Sequence, residues 1–185
     1  VAKLEKAADA VKITGQIRYD YRSSEFKNEN VFRTRLWVNG QINDDWSYTA
    51  MLQHWNDIDD DAASESVSFK RAYLEGKLGE VDVVAGRWNE FFYNANICDI
   101  FVDGVKLTYG KDVKLSVMAG KPNAGTGYVE LTDGSGSAAY LYAANLSTQI
   151  GAVDVAANYF KADEACYGPE GEFGKKEIYN INLGL

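Results

Sequence analysis

Arginine recurs in this chain at alternate positions within otherwise apolar runs. Arg33 and Arg35 sit in Phe32-Arg33-Thr34-Arg35-Leu36-Trp37-Val38, and Arg71 opens Arg71-Ala72-Tyr73-Leu74-Glu75. Residues two apart share one face of a β-strand, so the guanidinium groups gather on one side and Phe32, Leu36 and Val38 on the other. The same count assigns Lys12, Arg18, Lys77, Arg87, Lys106 and Lys114 to the polar side, with Asp20, Glu75 and Asp154 as its few acids. A row of fixed cations on a wet surface attracts and orients polar solutes and anions; it breaks no bond by itself. The other acids collect between strands, in Asp57, Asp59, Asp60, Asp61 and Glu65 and in Asp163, Glu164, Glu170 and Glu172.

Residues for covalent chemistry are scarce. The only histidine, His54, falls late in an extended run and is predicted to point outward, away from the polar face. The glycine-rich pieces near Gly125 and Gly134 are not followed by a helical pattern, so they are not phosphate loops. Asp57, Asp59 and Asp61 offer hard oxygen ligands, yet DIDDDAASE lacks the glycine and bidentate glutamate of a calcium loop and reads as a solvated acidic stretch. Cys98 and Cys166 lack metal-ligand spacing; both fall in predicted loops, where one disulfide and two free thiols are equal alternatives. A net charge of -8 argues against a nucleic-acid partner. The chain therefore reads as a non-enzyme, with no catalytic residue, no metal site and no cofactor.

The elements that carry these side chains are strands. At 185 residues, two prolines, 17 glycines, 12 tyrosines and 8 phenylalanines favour an extended, aromatic-rich fold over a helical one. Alternation predicts strands near residues 11–21, 31–43, 46–55, 67–78, 81–88, 102–109, 113–120, 138–147, 152–161 and 177–185. The links Asn43-Asp44-Asp45, Gly79-Glu80 and Gly110-Lys111-Asp112 are hairpin turns, whereas the intervening links are long. Short and long links in strict alternation put all tight turns at one end of an up-and-down antiparallel sheet. That asymmetry, with apolar residues at every second position, is the layout of a transmembrane β-barrel. No run of about 18 apolar residues is present to form a spanning helix. The competing reading is a soluble barrel or sandwich, but the arginine-bearing face looks like a lumen lining. Tyr19, Tyr21, Trp46, Tyr48, Tyr109, Tyr140, Tyr142, Tyr159 and Tyr179, near strand ends, suit the interfacial girdles of such a barrel.

Three stretches resemble a known family: VKITGQIRYDY with FRTRLWVNGQINDDW, then RAYLEGKLGEVDVVAGRW, then VDGVKLTYG. They are similar to the outer-membrane porins of diderm Firmicutes, which carry an S-layer-homology module ahead of the barrel. The resemblance implies a passive diffusion channel for ions and small hydrophilic solutes, a homotrimer set among outer-membrane lipids, and a cell-wall link through an upstream module absent from this sequence. Residues 1–10 would match the end of the helical stalk, and residues 11–185 the barrel. Porins of this kind have about sixteen strands. About ten here imply a truncated part of a larger barrel, with a complete small barrel as the alternative. Arg18, Arg33, Arg35, Arg71, Glu75, Arg87 and Lys106 would line the pore. By likeness to general porins, the connection at residues 89–101 would fold inward as a constriction carrying Glu90, Phe91, Phe92, Tyr93 and Asp99, with Asp103 facing the arginines; a loop covering the mouth is the plainer reading. Two other functions compete: a structural barrel tethering the membrane to the cell wall, and an adhesin presenting acidic loops.

Overall fold

Alternating side chains and turn-forming links leave little choice but strands, and strands are the only regular elements among the described residues. The computed structural model describes residues 11–23, 28–58, 66–92, 98–122, 140–167 and 172–184. The ten strands are β1 (Val11–Ser23), β2 (Asn28–Gln41), β3 (Trp46–Asp57), β4 (Ser66–Leu78), β5 (Val81–Phe92), β6 (Cys98–Tyr109), β7 (Val113–Pro122), β8 (Leu141–Ile150), β9 (Val153–Tyr167) and β10 (Glu172–Gly184). Sheet order follows chain order, giving an all-β, up-and-down antiparallel architecture. Among the described residues the order has two ends, β1 and β10.

Two compact units divide the chain between Tyr73 and Leu74. In the first, β1 pairs with β2 from Val11 opposite Gly40 to Ser23 opposite Asn28, and β2 pairs with β3 from Val31 opposite Asp57 to Gln41 opposite Ser47. This register sets Ile13, Ile17, Leu36 and Val38 on one face. It sets Arg18, Arg33, Arg35, Met51 and Gln53 on the other. The apolar face is the open one: Ile17 is 71% exposed, while Met51 is 1% exposed. A water-soluble sheet does the reverse.

The second unit repeats this sidedness. Registers from β5 through β10 place Leu107, Leu115, Leu146, Tyr159, Ile181 and Leu183 on one face and Glu90, Lys106, Ser116, Asn145 and Asn158 on the other. Ile181 is 77% exposed and Asn158 only 7%. On the exposed face the rings of Tyr159 and Tyr179, cross-strand partners, lie 5.2 Å apart between centroids. The less exposed face also carries an apolar cluster toward the long links, where Trp88, Val102, Leu141, Phe160 and Ala162 are buried.

The tight turns follow from their residues. Asn43 Oδ1 accepts hydrogen bonds from the amides of Asp45 and Trp46 at 3.0 and 2.9 Å, closing the β2–β3 hairpin with a side chain. Gly110 has φ +106°, and a Cβ there would sit 1.9 Å from the Val113 carbonyl oxygen, so the β6–β7 turn requires glycine.

Several strands run further toward the long links than alternation predicts, because a backbone ladder needs no apolar side chains to continue. The clearest difference lies at residues 89–101. Asn89, Glu90, Phe91 and Phe92 pair with Phe101, Ile100, Asp99 and Cys98, so most of the predicted loop is hairpin. Cys98 and Cys166 are likewise strand residues, on β6 and β9. β7 and β8 lie between those two strands in the sheet order. Residues 1–10, Tyr93 and the acidic stretch 59–65 lie outside the described residues.

Across β5, β6 and β7, Gly86, Gly104 and Gly120 stand opposite one another beside the Trp88 cluster. A Cβ on Gly104 would lie 2.3 Å from the Ala119 carbonyl oxygen and 2.6 Å from Gly120 Cα. Gly104→Ala therefore destabilises the fold by about 1–3 kcal/mol, the usual cost of overfilling a packed site. Gly15→Ala is the control, since its nearest obstacle, the Arg35 carbonyl oxygen, is 3.7 Å away. Urea unfolding in detergent micelles should show a lowered midpoint for Gly104→Ala relative to Gly15→Ala; equal midpoints would refute the close approach.

Candidate functional site

In the first unit the arginines come together. Arg18 on β1 stands directly opposite Arg33 on β2, and Arg35 follows on the same face. Like charges opposed across strands oppose folding, so this pairing is not there for stability. Arg18 is held by Asp20, with Nη2 2.7 Å from Oδ1. Arg35 Nε donates to Gln53 Oε1 at 2.7 Å, and Gln53 is itself buried. Arg33 Nε and Arg71 Nε are buried atoms without a hydrogen-bond partner. Arg35 lies within the electrostatic reach of Arg33, Arg71 and Arg18 together. The result is a surface rich in guanidinium groups, able to hold anions and orient dipoles.

The second unit arranges its charges differently. Glu90 is 8% exposed, accepts from Trp88 Nε1 at 2.6 Å and meets Lys106 Nζ at 2.8 Å. Lys106 thus carries its counter-charge with it. Arg87 stands on the other side of β5, in line with Val83 and Ala85 and opposite Asp103 on β6. The two form a bidentate pair, Nε to Oδ1 at 2.6 Å and Nη2 to Oδ2 at 2.7 Å. Phe91 shares the Arg87 side and is exposed, while Phe92 and Asp99 are ladder residues on β5 and β6. Glu75 and Lys77 are exposed, and Lys77 pairs with Asp82 at 2.5 Å. His54 stands opposite Thr34 on the face of Leu36 and Val38.

Charge alone does not describe this face. Thr108, Ser116, Asn145, Asn158 and Asn180 occupy one rung across β6, β7, β8, β9 and β10. Thr108 Oγ1 and Ser116 Oγ are 2.9 Å apart, and Asn145 Nδ2 donates to Asn158 Oδ1 at 2.6 Å. A cavity of about 960 Å³ opens over this part of the face, lined in part by Lys106, Ser116, Asn145 and Asn158. No charged residue marks this rung in the sequence. Its signal was present as asparagine alternating with apolar residues in Tyr179-Asn180-Ile181-Asn182-Leu183. Among the described residues no group of His, Cys, Asp and Glu is placed to hold a metal ion.

No family model matches the chain, and no curated protein matches it. Among solved structures, the chain is similar to Salmonella typhi OmpF in complex with daunomycin, at 12% identity and a TM-score of 0.42, over 92% of this chain and 73% of that one.

Proposed function

We propose that the chain forms wall of an outer-membrane diffusion channel, a porin, that passes ions and small hydrophilic solutes. The observation that carries this reading is the reversed sidedness of both units: large apolar side chains face out, and arginine, asparagine and glutamate face in. Hydrocarbon outside and water inside is the environment that stabilises such a sheet. An arginine on the lipid side costs about 2–4 kcal/mol at the bilayer midplane, so Arg18, Arg33 and Arg35 belong with water.

Membrane insertion demands that every backbone group be paired, because an unsatisfied one in hydrocarbon costs several kcal/mol. The edges of β1 and β10 therefore have partners in the functional state, either each other or further strands between them. Arg18, Arg33, Arg35, Arg71 and the Glu90–Lys106 pair line the channel in this reading. Arg87, neutralised by Asp103 near the long-link end of β5, belongs at the headgroup level, where a paired guanidinium is tolerated. The exposed tyrosines Tyr19, Tyr21, Tyr109 and Tyr179 take the interfacial positions on the lipid side.

Reconstituted into planar bilayers, the protein should give steady ohmic conductance; silence at every voltage removes the transport reading. Replacing Arg33 and Arg35 together by glutamate should move the reversal potential in a salt gradient toward cation selectivity. An unchanged reversal potential would mean that these two side chains do not face the permeation path.

A further inference from the structure

The inward face of the second unit is built for a different kind of solute from that of the first. Its charges balance: Lys106, Lys111 and Lys114 line the cavity together with Glu90, Asp112 and Asp154. Between them runs the uncharged rung of two hydroxyls and three carboxamides from Thr108 to Asn180. A hydroxyl or a carboxamide both donates and accepts, so such a rung complements groups that do the same and offers little to a simple ion.

The rung is also incomplete. Asn158 is more than nine-tenths buried and lines the cavity; its Oδ1 accepts from Asn145, but its Nδ2 has no partner. Asn180 Oδ1 and Asn182 Oδ1 are buried and likewise unpartnered, and Asn182 lines the same cavity. One open donor on β9 and two open acceptors on β10 thus lie at neighbouring register positions. Buried polar atoms are nearly always satisfied, because leaving one unpaired costs more than the bond itself returns. Three such atoms at one place mark a surface that is completed by something else.

We infer that Asn145, Asn158 and Asn182, with Ser116, form a binding site for an uncharged polyhydroxylated solute of the saccharide class. Vicinal hydroxyls present donors and acceptors side by side, matching the carboxamide row, and the cavity volume of about 960 Å³ admits a short oligosaccharide together with water. The balanced lysines and acids give no net preference for an anion or a cation and keep the cavity wet. This site rests on the reading of the chain as a channel, but its occupancy is measurable without conductance.

The test uses maltotriose as the probe and the full chain in detergent micelles, with binding read by saturation-transfer NMR and conductance read separately in bilayers. Saturation transfer to maltotriose, and none to potassium gluconate at equal concentration, is the expected result. Asn158→Leu should abolish the transfer. Asn182→Ala, a half-buried position on β10, should weaken it about tenfold, the factor that corresponds to a lost hydrogen bond. A β-type far-ultraviolet circular dichroism spectrum and a heat-modified gel mobility equal to those of the unmodified chain show that each variant is folded. Normal conductance with no transfer to maltotriose in the unmodified chain overturns the site and leaves the channel standing. Transfer without conductance upholds the site and removes the channel. Equal transfer in the unmodified chain and in folded Asn182→Ala overturns the assignment of these residues.

Discussion

In the proposed channel, the cost of moving a polar group from water into hydrocarbon would govern this chain at every level. Each backbone amide and carbonyl carries that cost, which is why the described residues form extended hydrogen-bonded ladders with short turns. Each guanidinium carries more of it, so the arginines of β1 and β2 share one face and the isoleucines the other. A soluble sheet would sequester Ile13, Ile17, Ile181 and Leu183; here they are among the most exposed side chains. In the proposed channel, greasy outside and wet inside, the same physical term gives the opposite placement.

The inward face is not uniform. In the unit ending at Tyr73 it is cationic, with Arg18 and Arg33 opposed across a ladder at a cost in stability. In the unit that follows, the Glu90–Lys106 pair cancels and a neutral rung of hydroxyls and carboxamides takes over. Toward the long links this rung gives way to the packed cluster of Trp88, Val102, Leu141 and Phe160, which buries apolar surface where glycines let the strands approach. The packed apolar cluster and the polar rung thus occupy different levels of the same strands.

Alternation made all ten strands legible, and Asn, Asp and Gly marked the tight turns, because both signals are local. The boundaries toward the long links were less legible, since hydrogen bonding outlasts the apolar pattern; Glu90, Phe91 and Phe92 are ladder residues in a stretch that looks like loop. Arg87 illustrates a second limit. It follows Val83-Val84-Ala85-Gly86, four residues apolar on both faces, so nothing nearby sets its phase and only the register with Asp103 does. The asparagine rung was unread for a third reason: a carboxamide announces nothing alone, and Asn145, Asn158 and Asn180 become one feature only when three strands are laid side by side.

Side-chain orientation relative to the bilayer is the claim on which the account turns, and spin-label accessibility reads it directly. In a background with Cys98 and Cys166 replaced by serine, nitroxides attached at Ile17→Cys and Leu36→Cys should be relaxed by oxygen dissolved in the lipid of proteoliposomes. Those at Arg35→Cys and Gln53→Cys should be relaxed by a water-soluble nickel chelate. Labels at Arg35 and Gln53 that respond to oxygen, with those at Ile17 and Leu36 responding to nickel, would contradict it.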